Sequence, residues 1–168
     1  MTTPTAKDVA DVIGRVGYLV GKTRLQKTVA LLELTGLGSG FSFSYHLYGP
    51  YSEELSAAVE RGVLLGLIEE KEQQANWGGR YSVFTSHSRT VDISPKQTLI
   101  ELCNDANAVA LELAVTAAFV AEGGEDDAWL RVSELKPEKA KPENVRKAKE
   151  LYRKFLDVQV PRKLPAIV

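Results

Sequence analysis

Between Ala106 and Ala121 the chain has one charged side chain, Glu112. A helix that is apolar on every side cannot face water. It must lie at the centre of a fold or along a seam between copies. The run falls short of the roughly 18 consecutive apolar residues of a membrane span, so protein has to cover it. Upstream, Ser94-Pro95-Lys96-Gln97 reads as a helix start, with Ser as the cap and Pro at the first helical position. The spacing predicts one long helix over 95–121, about 40 Å at 1.5 Å per residue, stopped by Gly123-Gly124. If one side of that helix stays open, it becomes a homodimer seam.

At 168 residues with 44% hydrophobic side chains, the chain suits a single domain with a real core, not a disordered or fibrous protein. The lone Cys103 excludes an internal disulfide framework. With only His46 and His87 beside it, a structural zinc site is not expected. The polar start, Met1 to Asp8, has no secretory character, which with the single cysteine predicts a cytoplasmic protein. Twenty-one basic and 22 acidic residues nearly cancel, but they are segregated. Residues 36–70 sum to −4, 101–130 to −7 and 131–168 to +6. Such segregation arises from acidic and basic segments lying side by side, or from a charged face offered to a partner.

Val9, Val12, Ile13, Val16 and Val20 recur at helical steps and predict a helix over 5–20. Gly21 breaks it and Thr23 is placed to cap a second helix carrying Lys22, Arg24 and Lys27 near its start. Gly36 to Gly40 reads as a flexible connector. Phe41 to Tyr48 alternates as a half-buried strand, ended by Gly49-Pro50. Ser52 caps a third helix to about Leu65. Leu67 to Gln73 and Arg80 to Thr85 form a hairpin around Ala75-Asn76-Trp77-Gly78-Gly79. Helix, strand, helix and hairpin give the layout of a winged helix. The fold class predicted is mainly α with a small β-wing: a winged helix-turn-helix over 1–93, then a helical part over 94–168 with the long central helix and two C-terminal helices. Of these two, one spans Glu125 to Leu135 and the other Pro142 to Leu156.

Thr23-Arg24-Leu25-Gln26-Lys27, an aromatic strand, Tyr48-Gly49-Pro50-Tyr51-Ser52, a helix and Gly66-Leu67-Ile68 together resemble the YwgA-like family of small bacterial and archaeal proteins. More loosely they resemble the winged-helix antitoxin domains of the Panacea group and the C-terminal domain of DarG-type antitoxins. The resemblance covers about fifty residues. It implies a non-catalytic winged helix working as an antitoxin, proteolytic adaptor or transcription regulator, in the DarG-type case by occupying a toxin's nucleic-acid site. Tyr48 to Ser52 is its most specific stretch. That stretch also has a folding explanation: Gly and Pro turn the chain, Ser caps a helix and two Tyr rings pack.

No catalytic, metal or cofactor set stands out. Gly17 to Thr23 looks like a phosphate loop, but Val16 replaces the first required glycine and the segment follows a helical pattern instead of a strand. Cys103 falls in an apolar helix, the usual place of an inert thiol. Glu125, Asp126 and Asp127 suit a helix start better than a cation.

Binding is the better prospect. Glu53 and Glu54 open the third helix, where they would repel phosphates in the usual winged-helix docking mode. The candidate partner or nucleic-acid contacts are Lys22, Arg24, Lys27, Tyr48, Tyr51, Glu53, Glu54, Trp77 and Arg80. Trp77 is placed to stack on a base, to enter a partner or to fold over the core. The leading expectation is a non-enzymatic, antitoxin-like regulator that binds a protein. The alternative is a DNA-binding transcription regulator, with Lys22, Arg24, Lys27, Arg80 and the basic helix of Arg146, Lys147, Lys149, Arg153 and Lys154 on phosphates.

Overall fold

The computed structural model describes residues 3–46 and 49–167. Leu47 and Tyr48, two positions of the expected aromatic strand, lie outside the described residues. In chain order the elements are α1 (Ala6–Gly14), β1 (Tyr18–Val20), α2 (Lys22–Leu34), β2 (Ser44–His46), β3 (Gly49–Tyr51), α3 (Glu53–Leu64), β4 (Ile68–Gln74), β5 (Arg80–Ser86), α4 (Pro95–Asp105), α5 (Ala108–Glu122), α6 (Ala128–Leu135) and α7 (Pro142–Leu156). The fold is mainly α with two small antiparallel sheets, one ordered β1-β5-β4 and the other β2-β3.

The helix expected over 5–20 is instead α1 followed by β1. Gly17, at φ +87, turns the chain out of the helix. Tyr18, Leu19 and Val20 then pair with Thr85, Phe84 and Val83 of β5. The long sheet buries Leu19, Ile68, Ser82 and Phe84 on the side that meets α1 and α3.

The long helix expected over 95–121 is also two helices. Ala106 leaves the helical region, at φ −73 and ψ 152. Asn107 restarts the chain by accepting hydrogen bonds from Val109 and Ala110 N–H. The second piece, α5, is the central element. Residues 110 to 118 are all buried, covered by α2, α6, α7 and β3 of the same chain. The open side that a homodimer through 95–121 requires is therefore absent from its middle.

Other starts follow local chemistry. Ser52 and Ser94 accept from the Leu55 and Gln97 N–H groups and cap α3 and α4 as expected. The helix expected from Glu125 begins at Ala128 because Asp127 is its cap, taking the Leu130 N–H at 3.1 Å. Gly21, not Thr23, is the N-cap of α2. The connector after α2 is tied down: the Glu33 carboxylate accepts from the backbone N–H groups of Ser39, Gly40 and Phe41. The tail folds back as well, with Tyr152 donating its hydroxyl to the Pro165 carbonyl.

Candidate partner-binding surface

The Thr23 to Lys27 motif lies on the first turns of α2, and its side chains diverge. Arg24 turns to the end of α4, donating to the carbonyls of Cys103 at 2.6 Å and Ala106 at 2.8 Å. Gln26 makes two backbone bonds to one residue: its amide donates to Ser52 O at 3.0 Å and its carbonyl accepts Ser52 N–H at 2.8 Å. Lys27 is 1% exposed and donates to Pro50 O at 2.9 Å. Gly49 stands against the same group, since a Cβ there would meet Thr116 Oγ1 at 2.6 Å and Lys27 Nζ at 3.5 Å. Gln26-Lys27 and Gly49-Pro50-Ser52 are thus two halves of one clasp joining α2 to the β2–β3 hairpin and the start of α3.

A buried charge cluster surrounds the clasp. Glu112, the one charge of α5's apolar run, takes Lys136 Nζ at 3.2 Å and Lys139 Nζ at 2.9 Å. Burial lowers the Lys27 ammonium to about 8; the Glu112 charge opposes this, and the Lys136 and Lys139 charges add to it. Thr116 Oγ1, fully buried beside Gly49, has no hydrogen-bond partner among the described residues. Lys136 and Lys139 thus both close over the Glu112 carboxylate. A lone carboxylate in an apolar helix was the sequence signal that such partners had to exist.

The sequence-derived candidates now divide. Lys27 is buried on the Pro50 carbonyl, whereas Arg24 is half-buried and donates to the Cys103 and Ala106 carbonyls. Tyr48 lies outside the described residues. Tyr51 is half-buried, its hydroxyl 2.6 Å from Ser56 Oγ and its ring 5.1 Å from that of His46. Lys22 and Arg80 are exposed and face carboxylates, Glu70 at 3.7 Å and Glu72 at 3.1 Å. Glu53 and Glu54 are exposed at the start of α3, where Glu54 also accepts the Ser42 N–H. With Glu60 and Arg61, the outward face of α3 holds three acids and one base. Trp77 stands 78% exposed at the β4–β5 tip instead of folding over the core. On α7, Arg146 is braced by Glu143 and Glu150, and the Lys149 ammonium sits 5.8 Å from the Trp129 ring centroid.

The phosphate-loop likeness is corrected in one respect: a strand, β1, does precede Gly21. Only that one glycine joins it to α2, however, so there is no run of loop amides to cradle a phosphate. A hollow of about 330 Å3 lies there, lined by Lys22, Arg24, Lys27, Glu72, Arg80 and Tyr81 among others. Its cations already have the acceptors described above. Cys103 is fully buried, which pushes its thiol up to about 12 and leaves it protonated at neutral pH. Among the described residues no group of three or more His, Cys, Asp or Glu side chains is placed to hold a metal ion. Nor is any helix among them long and apolar enough to cross a membrane.

Comparison with known proteins agrees with the motif likeness. The chain is 27% identical over 119 residues to the uncharacterized protein YwgA of Bacillus subtilis strain 168, across 66% of this chain and 70% of that protein. No family model matches, and no solved structure matches. The clasp gives Gln26, Lys27, Gly49, Pro50 and Ser52 of the motif a structural role, and the chain is similar to YwgA over about two-thirds of its length.

Proposed function

We propose that the chain is a non-enzymatic, antitoxin-like regulator built on a winged helix-turn-helix, and that it binds a basic protein surface through α3. The order α1, β1, α2, α3, β4, β5, with the sheet order β1-β5-β4, supports the winged-helix reading. The observation that carries the partner assignment is the division of charge between two neighbouring helices. On α2, Lys27 is buried and Arg24 half-buried against carbonyls, which leaves Lys22 as its exposed cation, while Glu53, Glu54 and Glu60 of α3 face water beside Arg61. A helix so dressed repels a phosphate backbone and attracts a cationic cleft, including one that otherwise holds nucleic acid.

The test is affinity capture from the native host at low salt, with the wild type beside a Glu53→Lys, Glu54→Lys, Glu60→Lys variant. The expected result is a protein retained by the wild type, released by salt and lost with the variant. A mobility shift of DNA by the wild type that weakens steeply with salt and on Lys22→Ala and Arg80→Ala would replace this reading with that of a DNA-binding regulator.

A further inference from the structure

The hollow of about 330 Å3 between α2, β5 and the start of α5 is lined by four cations, Lys22, Arg24, Lys27 and Arg80, and by one carboxylate, Glu72. These cations differ in what they are bonded to. Arg80 donates to Glu72 at 3.1 Å, and Lys22 faces Glu70, which is outside the lining, at 3.7 Å. Arg24 and Lys27 have carbonyls only. A carbonyl satisfies a donor but leaves the charge in place. Glu112, whose charge acts on Lys27, is already matched by Lys136 and Lys139. Asp105 acts on Arg24 without forming an ion pair with it among the described residues. Four positive charges, with Glu72 and Glu70 against them, leave two in excess. Both of these groups also have donors left over. Lys27, 1% exposed, uses one of its three N–H groups on Pro50 O. Arg24 bonds through Nε and Nη1, and its Nη2 has no acceptor among the described residues. A buried ammonium without a carboxylate of its own destabilises a fold, and a bound anion offsets that.

We propose that this hollow binds a nucleoside monophosphate, with the phosphate on Lys22, Arg24 and Lys27 and the base on Tyr81. A phosphate monoester carries about −1.5 to −2 charges at neutral pH, which matches the excess. Side chains hold it here, so the missing loop amides are not required. The guanidinium of Arg24 offers the planar fork that suits phosphate oxygens. Tyr81 lines the same hollow and is 38% exposed, so its ring is open to stacking by a base. The volume is at the lower end of the roughly 300–1,000 Å3 of small-molecule sites, which suits one nucleotide and not a duplex. The site goes beyond the α3 reading: it uses other residues and takes a small anion instead of a basic protein.

Isothermal titration calorimetry of the purified full chain with adenosine 5′-monophosphate tests this. Binding is expected with a Kd of about 100 μM, weakening as salt is added. Adenosine, which lacks the phosphate, and inorganic phosphate, which lacks the base, should each bind at least about tenfold more weakly. Arg24→Gln, Lys22→Gln and Tyr81→Ser should each weaken nucleotide binding about tenfold. Glu72→Gln removes the carboxylate of the hollow itself and should tighten binding about threefold, which damage to the fold does not do. Glu60→Gln on α3 should leave it unchanged. Circular dichroism checks the folding of each variant. Lys22 and Glu72 are exposed, so their variants carry the test if Arg24→Gln does not fold. The proposal is overturned by no binding at about 1 mM nucleotide, by either fragment binding as well as the whole, or by affinity indifferent to these substitutions. It is also overturned by a duplex of about 20 base pairs that binds more tightly than the nucleotide and weakens on Arg24→Gln, since the charge then serves a polynucleotide. The α3 contact is read on its own triple variant, so either reading fails without the other.

Discussion

Lys27 Nζ lies 2.9 Å from the carbonyl oxygen of Pro50, in a part of the chain where the lysine is 1% exposed. A buried ammonium with a carbonyl for a partner is a cost that the fold carries at neutral pH. Its folded pKa, about 8, is below the ordinary 10.5. The unfolded chain therefore holds the proton between those two values while the folded chain releases it. Stability should rise with pH across that window, by about 3 kcal/mol for a shift of this size. Urea unfolding from pH 7 to 11 should show this rise in the wild type relative to Lys27→Met, in which it is absent. Equal slopes for the two proteins would remove the argument.

Gln26 spends both ends of its amide on the backbone of Ser52. Gln26→Ala leaves a buried N–H and C=O without those partners, at a cost of about 2 to 3 kcal/mol. Ser52→Ala loses only the α3 cap and should cost about 1 kcal/mol. Denaturant titration should rank the two in that order.

Thr116 buries a hydroxyl that has no partner among the described residues. Thr116→Val exchanges it for a methyl group of nearly the same shape. The chain should gain about 1 kcal/mol, because an unsatisfied buried oxygen is removed. Gly49→Ala should do the opposite. It adds a Cβ 2.6 Å from that same Oγ1, at a backbone φ of +95, and should lower the melting temperature by several degrees or more.

Glu112 accepts from Lys136 and Lys139. Glu112→Gln leaves the 6%-exposed Lys136 without its carboxylate, so a loss of about 3 to 5 kcal/mol is expected. Glu112→Met combined with Lys136→Met removes the buried pair together and should recover most of it. A double variant as unstable as the single one would show that the pair does not act as a unit.

Short-range signals in the sequence were reliable guides to the fold. Ser52 and Ser94 cap the helices they were expected to cap, α7 starts at Pro142, and the β4–β5 hairpin turns around Trp77. Long-range partners explain the misreadings. Val16 and Val20 fit a helical period, and Tyr18 to Val20 become a strand only because β5, more than sixty residues on, pairs with them. Asn107 was hidden in an apolar run, where its capping bonds mattered more than its neighbours' hydropathy. Among the candidate contacts, Glu53, Glu54, Trp77 and Arg80 are at the surface, as charged and aromatic residues in short exposed elements generally are. Lys27 is not, and Arg24 is so only in part, because their acceptors come from residues 103, 106 and 50, and no local pattern announces a carbonyl at such a distance.

A single residue, Gly21, separates β1 from α2. With so little slack, the register of β1 on β5 fixes where α2 starts, and the two bonds of Gln26 to Ser52 fix the start of α3 against it. Sheet, α2 and the start of α3 are thereby fastened in series, so a residue inserted beside Gly21 would have to break either the β1–β5 pairing or the Gln26–Ser52 bonds.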